Sequence, residues 1–345
     1  MPAKRVTSQD VAKRAGVSRT TVSLVLNDVK GVQISDDTRQ RVLEAARELE
    51  YVPDAAAQAL ASRRAQIIGL ILTRSPHHIA SDTFLTQILD ALVQTVHEQG
   101  MRLLIDIVEP SDQKEPYLQL VRAKHIDGIL LSGPRLGDGA LATLEEENFP
   151  TVLLGQLPGI SLYSVDVDNR AAAKHAVNHL IHLGHTRIAC ITNAPLYYTA
   201  ATDRLTGYRD ALREAGLEPD DSLIHEGDFD PQSGYQNMSS LLDLSQPPTA
   251  VFVASDVVAF GAMAAIHERG LRIPENVALV GFDDVPLARY VDPPLTTVHL
   301  PTYALARRSS EILFKLIQRE KPSQRHSLLD TQLVIRRSCG AQLQV

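Results

Sequence analysis

The stretch "DVAKRAGVSRTTVSLVLN", from Asp10 to Asn27, decides the fold of the first part of the chain. Thr7 and Ser18 are each predicted to cap a short helix, because a hydroxyl accepts a hydrogen bond from a free amide of the first helical turn. Gly16 ends the first helix, since glycine readily adopts the left-handed backbone of a tight turn. The pattern predicts a helix-turn-helix, which lays its second helix in the DNA major groove.

The second predicted helix carries side chains that suit DNA. The hydroxyls of Ser18, Thr21 and Ser23 are suited to phosphate oxygens, whereas Arg19 and Thr20 on its first turn reach base edges. The alternative is a helical hairpin with no DNA role, since any such hairpin contains a comparable turn.

The charge is unevenly distributed along the chain. Residues 1–66 contain 11 basic and 8 acidic residues, a net charge of +3. Because the net charge of the whole chain is −7, residues 67–345 have a net charge of −10. A mildly basic head on an acidic body is consistent with a head that binds a polyanion.

The composition describes an ordinary globular protein. At 345 residues, with 44% hydrophobic and 22% charged residues, the chain suits two or three domains. Cys190 and Cys339 imply no disulfide framework. The sequence contains no secretory signal pattern and no apolar run long enough to span a membrane. We therefore expect a cytoplasmic protein.

Apolar strands and amphipathic helices alternate from Ile67 onward, which predicts parallel sheets covered by helices. About ten strands are predicted, too many for one sheet, so we expect an α/β core with two lobes. Ala55 to Gln66 is alanine-rich and predicts a linker that becomes helical only with a partner. The predicted domains are an all-α helix-turn-helix head at 1–50, a hinge at 51–66 and a core at 67–345. The predicted lobe boundaries are about 67–163 with 293–322 for the first lobe, and about 164–292 with 323–345 for the second.

Several segments together resemble the LacI/GalR family of bacterial transcription regulators. They include "DVAKRAGVSRTTVSLVLN", "ISDDTRQRVLEAARELEYVPD", "ALASRRAQIIGLI", "VDVDNRAAAKHAVNHLIHLGHTRIACI" and "PPTAVFVASDVVAFGAMAAIHERGLRIPENVALVGFDDV". The resemblance spans essentially the whole chain, in the family's order. It implies a two-lobed core of the periplasmic-binding-protein type that binds a small effector, and a homodimer whose heads bind a near-palindromic operator.

The resemblance also implies that paired hinges insert Leu60 into the minor groove, where an apolar wedge kinks the duplex. The alternative is that Leu60 packs against the core. The full set of expected DNA contacts is Thr7, Ser18, Arg19, Thr20, Thr21, Ser23, Leu24, Asn27, Lys30 and Leu60.

Departures from the family pattern affect the DNA prediction. Leu24 stands where relatives often have Arg, so it cannot donate a hydrogen bond to guanine but can touch a thymine methyl. Asp54 and Gln58 replace the usual hinge Asn and Arg, and neither attracts phosphate. We expect weaker hinge binding, with Arg63 and Arg64 compensating.

In the core, Arg204 and Asp283 match the family's effector contacts. A guanidinium fork and a bidentate carboxylate suit the vicinal hydroxyls of a sugar; the alternative is a salt bridge between the lobes. The other expected effector contacts are Asp82, Phe84, Gln156, Tyr198, Ser255 and Thr302. Phe84 is alternatively a core residue, and Asp256 a helix cap.

We expect a repressor released by a small carbohydrate. A regulator corepressed by a purine or another metabolite remains the alternative, and the sequence does not decide the sign of the effect. Because the chain ends without a heptad repeat, dimers are expected rather than tetramers.

Other classes of function are disfavoured. The chain contains no G-x-S-x-G, P-loop or G-x-G-x-x-G motif, so we predict neither an enzyme nor a cofactor. His175 and His179 are four residues apart but lack further ligands at suitable spacing, and His77 with His78 is expected in a solvated loop, so no metal is predicted. A transport-type solute-binding protein would need an export signal and would leave residues 1–50 without a purpose.

Overall fold

The computed structural model describes residues 6–27, 32–52, 64–79, 83–109 and 116–341. The chain divides into two compact units, residues 1–66 and 67–345. No helix among the described residues is long and apolar enough to cross a membrane. Some residues singled out in the sequence lie outside the described ranges, namely Lys30, Asp54, Gln58, Leu60, Arg63 and Asp82.

The first unit contains helices α1 (Ser8–Ala15), α2 (Arg19–Leu26) and α3 (Asp36–Glu48). The predicted caps form: Oγ1 of Thr7 accepts the Asp10 amide at 3.4 Å, and Oγ of Ser18 accepts the Thr21 amide at 3.0 Å. Gly16 has the left-handed φ of 66° that the turn requires. A small shared core fixes the three helices; its fully buried side chains are Val11, Val22 and Val42. The predicted helix-turn-helix is confirmed.

The first lobe of the second unit is built on a six-stranded parallel sheet. In spatial order the strands are β11 (His326–Leu329), β5 (Tyr163–Val167), β4 (Thr151–Leu154), β3 (Gly128–Ser132), β1 (Ile67–Leu72) and β2 (Arg102–Ile107). The helices of this lobe are α4 (Pro76–Ile79), α5 (Thr83–Glu98), α6 (Pro116–Arg122), α7 (Gly139–Glu146) and α12 (Thr302–Ile317). Strand β3 is buried along its whole length, as expected for a strand covered on both faces.

The second lobe also has six strands, parallel except for the antiparallel pair β10–β12. The spatial order is β12 (Gln332–Val334), β10 (Thr296–His299), β9 (Ala278–Asp283), β8 (Ala250–Val253), β6 (Ile188–Ile191) and β7 (Ile224–His225). Its helices are α8 (Asn169–His182), α9 (Thr199–Glu214), α10 (Pro231–Leu242) and α11 (Asp256–Glu268). The predicted α/β class with two sheets is confirmed.

The lobe boundaries differ from those predicted. The chain passes between the lobes after β5, after β10 and after β11, so β5 and β11 belong to the first sheet and β10 to the second. The predicted boundaries placed each of these segments in the opposite lobe. The order of strands and helices does not show which sheet a strand joins, because that depends on pairing with distant partners such as Ser164 with His326.

Strands β5, β10 and β11 were also missed as strands, because buried hydroxyls interrupt their apolar pattern. Within the sheets these hydroxyls have partners: Oγ of Ser164 lies 2.9 Å from Nδ1 of His326, and Oγ1 of Thr297 donates to Oδ1 of Asp256 at 2.6 Å. A buried polar group with a hydrogen-bond partner is tolerated in a core. These strands therefore lack the continuous apolar run from which the other strands were predicted.

Helices α10 and α11 pack with their backbones in close approach. A Cβ added at Gly261 would lie 1.7 Å from the Pro231 carbonyl oxygen, and one at Gly234 would lie 1.9 Å from that of Val258. Real Cβ atoms do not approach this closely, so only glycine fits at both positions.

Candidate effector and DNA-binding sites

The carboxyl ends of strands from both sheets enclose a cavity of about 120 Å³, here called the interlobe cavity. This edge is where open parallel sheets bind ligands. Apolar side chains from both lobes form much of its wall, including Ile88, Leu154, Val165, Val257 and Leu305. Charged and amide groups project into it from the strand ends and from α9.

Arg204 on α9 lies in this cavity, where it donates hydrogen bonds and lies close to a carboxylate. Its side chain is buried; Nη1 donates to the Ala254 carbonyl at 2.6 Å and Nε donates to Oδ1 of Asn169 at 2.8 Å. Nη1 also lies 3.6 Å from Oδ1 of Asp283, and the guanidinium carbon lies 3.7 Å from the centre of the Phe282 ring. Burial lowers the pKa of Arg204, whereas the charge of Asp283 opposes that shift.

Arg204 and Asp283 both belong to the second lobe, so the ion pair does not join the lobes as the alternative interpretation supposed. Asp283 ends β9 with a positive φ of 119°, a backbone strain that is typical of functional sites. Oγ of Ser255 donates to Oδ2 of Asp283 at 3.0 Å. Ser255 lines the cavity and precedes α11, but its side chain makes no cap hydrogen bond.

Asp256 has a structural role that differs from the expected helix cap. Its Oδ1 accepts the Thr297 hydroxyl at 2.6 Å, and its Oδ2 accepts the Val285 amide at 2.9 Å. Burial raises the pKa of this carboxyl, and the nearby Asp283 raises it further. Asp256 thus holds β10 and the segment after β9 together beside the cavity.

The cavity contains polar groups that the sequence analysis did not single out. Asp166 at the end of β5 accepts both hydrogen bonds from Nδ2 of Asn169, at 3.1 and 3.2 Å. Asn193 follows β6 and is buried, and its amide oxygen has no hydrogen-bond partner among the described residues. A buried acceptor without a partner is costly, which suits a position that a ligand donor fills. Recognising β5 as a strand would have placed Asp166 at a strand end.

Burial raises the pKa of Asp166 to about 6 from the ordinary value of 3.8. Its contribution to stability is therefore fully present below pH 3.8 and is lost as the pH rises through about 6. We expect Asp166→Asn, which stays neutral, to gain stability relative to wild type as the pH rises from about 4 to about 7.5. Urea unfolding of both proteins at the two pH values measures their free energies of unfolding. If the difference between the two proteins does not change with pH, the pKa of Asp166 is not raised.

Aromatic rings line the remaining wall. Tyr198 is buried, its hydroxyl donates to the Thr73 carbonyl of the first lobe, and its ring meets Phe229 edge-to-face at 4.9 Å. Phe84 on α5 lines the cavity and also packs against the hydrophobic cores of both lobes, so both interpretations of this residue have structural support. The guanidinium of Arg74 lies 4.7 Å from the Phe229 ring centre. Arg74 and Phe229 were missed because each lies on a loop without a strand-like pattern.

Two predicted contacts lie outside the interlobe cavity. Gln156 lines a neighbouring cavity of about 440 Å³ together with Leu157, Asp203 and His326. Gly155 precedes it with a φ of 123°, which turns the chain away from the end of β4. Thr302 is buried at the start of α12, where its hydroxyl donates to Gln87 at 3.4 Å. Both predictions came from positions in a sequence pattern, which does not show where a side chain points.

Among the predicted DNA contacts on α2 and its caps, Ser18, Arg19 and Thr20 are exposed, whereas Thr21, Ser23, Leu24 and Asn27 are half-buried. Nε of Arg19 donates to Oγ of Ser8 at 3.3 Å, and Nδ2 of Asn27 donates to Oγ of Ser23 at 3.1 Å. The hydroxyls of Ser18 and Thr21 lie 2.9 Å apart. The first turn of α2 therefore presents Arg19 and Thr20 outward.

The histidines expected in a solvated loop have a different setting. His77 and His78 lie on the short helix α4, and His78 is buried. Burial lowers the pKa of His78, although the charge of Asp228 opposes the shift. The apolar Ile79 that follows them in the helix packs against the core of the unit, which carries His78 inward.

A helix-turn-helix unit followed by a two-lobed core, whose interlobe cavity combines an apolar wall with a few charged and amide groups, defines a DNA-binding regulator that responds to a small molecule. Family models agree: bacterial regulatory proteins of the lacI family match residues 7–54, and a periplasmic binding protein-like domain matches residues 177–339. The HTH-type transcriptional repressor CytR of Escherichia coli (strain K12) is 36% identical over 338 residues, covering 97% of this chain and 96% of the relative. The chain belongs to the lacI family of transcriptional regulators and is not an enzyme.

Solved structures show the same architecture. The lac repressor dimer bound to operator and the anti-inducer ONPF has a TM-score of 0.85 and 31% identity, over 97% of this chain and 99% of that chain. The complex of the transcriptional regulator CelR with cellobiose has a TM-score of 0.74 and 34% identity, over 97% and 100% of the respective chains.

Proposed function

We propose that this protein is a cytoplasmic repressor that binds a near-palindromic operator as a homodimer and releases it when a small carbohydrate occupies the interlobe cavity. The observation that carries the proposal is the chemistry of the cavity wall. The guanidinium of Arg204 donates to ligand oxygens, while the carboxylates of Asp166 and Asp283 accept from hydroxyls. Phe84 and Phe229 supply apolar ring faces for the carbon skeleton. Neighbouring hydroxyls on a compact apolar frame match this set of groups.

The second lobe offers a fixed frame for such a ligand. Arg204 is held by Asn169 and by the Ala254 carbonyl, and Asp283 by Ser255. Side chains held in advance lose little conformational freedom when a ligand binds. The first lobe adds Phe84 and Asp166, so a bound ligand contacts both lobes and alters the equilibrium between their arrangements.

The related regulator solved with cellobiose supports a carbohydrate effector, and the related repressor dimer solved on operator supports a dimer with two heads on DNA. In each head, Arg19 and Thr20 contact base edges, and Thr7, Ser18, Thr21 and Ser23 contact phosphates. Because the operator is chromosomal DNA, the site of action is the cytoplasm.

The effector class is tested by thermal unfolding of the full chain with mono- and disaccharides, sugar phosphates and purines. A ligand specific to the folded state adds about 2.7 kcal/mol of stability at a concentration of 100 Kd. We expect one carbohydrate to raise the Tm of wild type and to leave the Tm of Arg204→Ala unchanged. A response to purines alone would refute the carbohydrate and favour a purine-responsive regulator.

The expected insertion of the hinge into the minor groove is tested by substituting Leu60, which lies outside the described residues. We expect Leu60→Ala to weaken binding to a selected operator about tenfold or more, because it removes the apolar wedge that stabilises the kinked duplex. Nonspecific binding, which rests on phosphate contacts and depends strongly on salt, stays unchanged.

Leu60→Met is the matched variant, since it retains an apolar side chain of similar volume. It should keep most of the operator affinity. Equal operator affinity of Leu60→Ala and wild type in a titration would refute the wedge.

A further inference from the structure

Three potential metal ligands from the two lobes meet beside the interlobe cavity. His77 and His78 lie on α4, which follows β1 in the first lobe, and Asp228 lies between β7 and α10 in the second lobe. Their ligand atoms all lie within 4.8 Å of one another. Nε2 of His78 is 3.4 Å from Oδ2 of Asp228.

We propose that His77, His78 and Asp228 bind one Zn²⁺ ion that links the two lobes. Two imidazole nitrogens and one carboxylate oxygen form a usual zinc ligand set, in which water fills the fourth position. With metal–ligand distances near 2.0 Å, neighbouring ligand atoms of a tetrahedral site lie about 3.3 Å apart. The pair His78–Asp228, at 3.4 Å, already has nearly this separation, and the ligand atom of His77 lies within 4.8 Å of both.

The loop that carries Asp228 is fixed by its own backbone. The Asp228 amide donates to Oγ of Ser233 at 3.0 Å, and the Phe229 amide donates to the Asn193 carbonyl at 2.8 Å. Gly227 allows this path, since a Cβ there would lie 2.1 Å from the Thr192 carbonyl oxygen. The carboxylate is therefore presented to α4 from a defined position.

The histidines are similarly placed. His78 is buried. Its ring centre lies 3.9 Å from the ring centre of His77 and 5.6 Å from that of Phe229. His77 and Asp228 are exposed, so an ion reaches the group from solvent. The carboxylates of Asp228 and Asp230 act on His78, and the His77 ring and the Arg74 guanidinium oppose them.

Because its ligands come from both lobes, the ion stabilises the arrangement in which the lobes meet. Zinc then acts on the same equilibrium between lobe arrangements as a ligand in the cavity, but from a separate site. The stoichiometry is one ion per chain.

The experiment is calorimetric titration of ZnCl₂ into the full chain, freed of metal and of any affinity tag, with Asp228→Asn and His77→Ala as variants. Both positions are exposed, so neither substitution disturbs the core. We expect one ion per wild-type chain, at least tenfold weaker binding in each variant, and a zinc-dependent rise in Tm for wild type alone. Substitution by Co²⁺ should give the visible absorption of a tetrahedral site.

His175→Ala is the matched control, because it removes an exposed histidine four residues from His179 and outside the proposed site. It should bind zinc as wild type does. No binding by wild type, or undiminished affinity in both Asp228→Asn and His77→Ala, would overturn the proposal.

Discussion

Arg204→Ala is expected to abolish the effector response and to destabilise the core by about 3–5 kcal/mol. The substitution removes the guanidinium that lies 3.6 Å from the buried Asp283 carboxylate, which also accepts a hydrogen bond from the Ser255 hydroxyl. It also leaves the Asn169 and Ala254 oxygens without this donor. The loss of one partner of a buried ion pair, together with two lost hydrogen bonds, accounts for the size of the effect.

Urea unfolding measures the loss of stability, and ligand-dependent thermal unfolding measures the response. The control is Arg170→Ala, which breaks an exposed ion pair with Asp210 of 2.6 Å and should cost less than about 1 kcal/mol. Arg204→Lys keeps the charge but not the planar fork, so it should restore part of the stability and little of the ligand binding. Equal stabilities of Arg204→Ala and Arg170→Ala would contradict this view of the site.

Gly261→Ala is expected to destabilise the core by about 3 kcal/mol or more. Helix propensity alone predicts the opposite sign, since alanine in a helix is favoured over glycine by about 1 kcal/mol. The close approach of α10 decides the outcome, because the new Cβ would lie 1.7 Å from the backbone oxygen of Pro231. Backbone cannot move aside as a flexible side chain can, so the two helices must separate.

Gly270→Ala provides the comparison, since Gly270 has a φ of 69° and no atom near the position of an added Cβ. Gly270→Ala should lower the free energy of unfolding by about 1–2 kcal/mol, which is the cost of the left-handed backbone alone. Urea unfolding of both variants separates steric exclusion from backbone strain. Gly261→Ala at or above the stability of wild type would show that the helices do not pack as described.

The head was the most predictable part of the molecule. Its helix ends depend on local hydrogen bonds, such as that of the Ser18 hydroxyl with the Thr21 amide, and on the backbone freedom of Gly16. Residues a few positions apart determine both features, so the sequence alone is sufficient. The lobe boundaries depend instead on pairing between distant segments, such as β5 with β11, and local patterns contain no such information.

The residues of the interlobe cavity were likewise predictable only in part. Arg204 and Asp283 could be matched to a family pattern, and they do lie together in the cavity. Asp166 and Asn193 could not be recognised as site residues, since an acid or an amide after a short polar strand resembles any surface loop. Gln156 shows the opposite error, because a familiar position after β4 faces a different cavity.

Occupation of the interlobe cavity is expected to control DNA binding. The most direct test is the affinity of the full chain for an operator selected from random DNA, measured at fixed salt with and without the carbohydrate found by thermal unfolding. Coupling of this kind typically changes affinity by about 5–150-fold. We predict that the carbohydrate weakens operator binding of wild type within that range and has no effect on Arg204→Ala. Unchanged operator affinity of wild type with the ligand bound, or an equal change in both proteins, would show that the interlobe cavity does not control DNA binding.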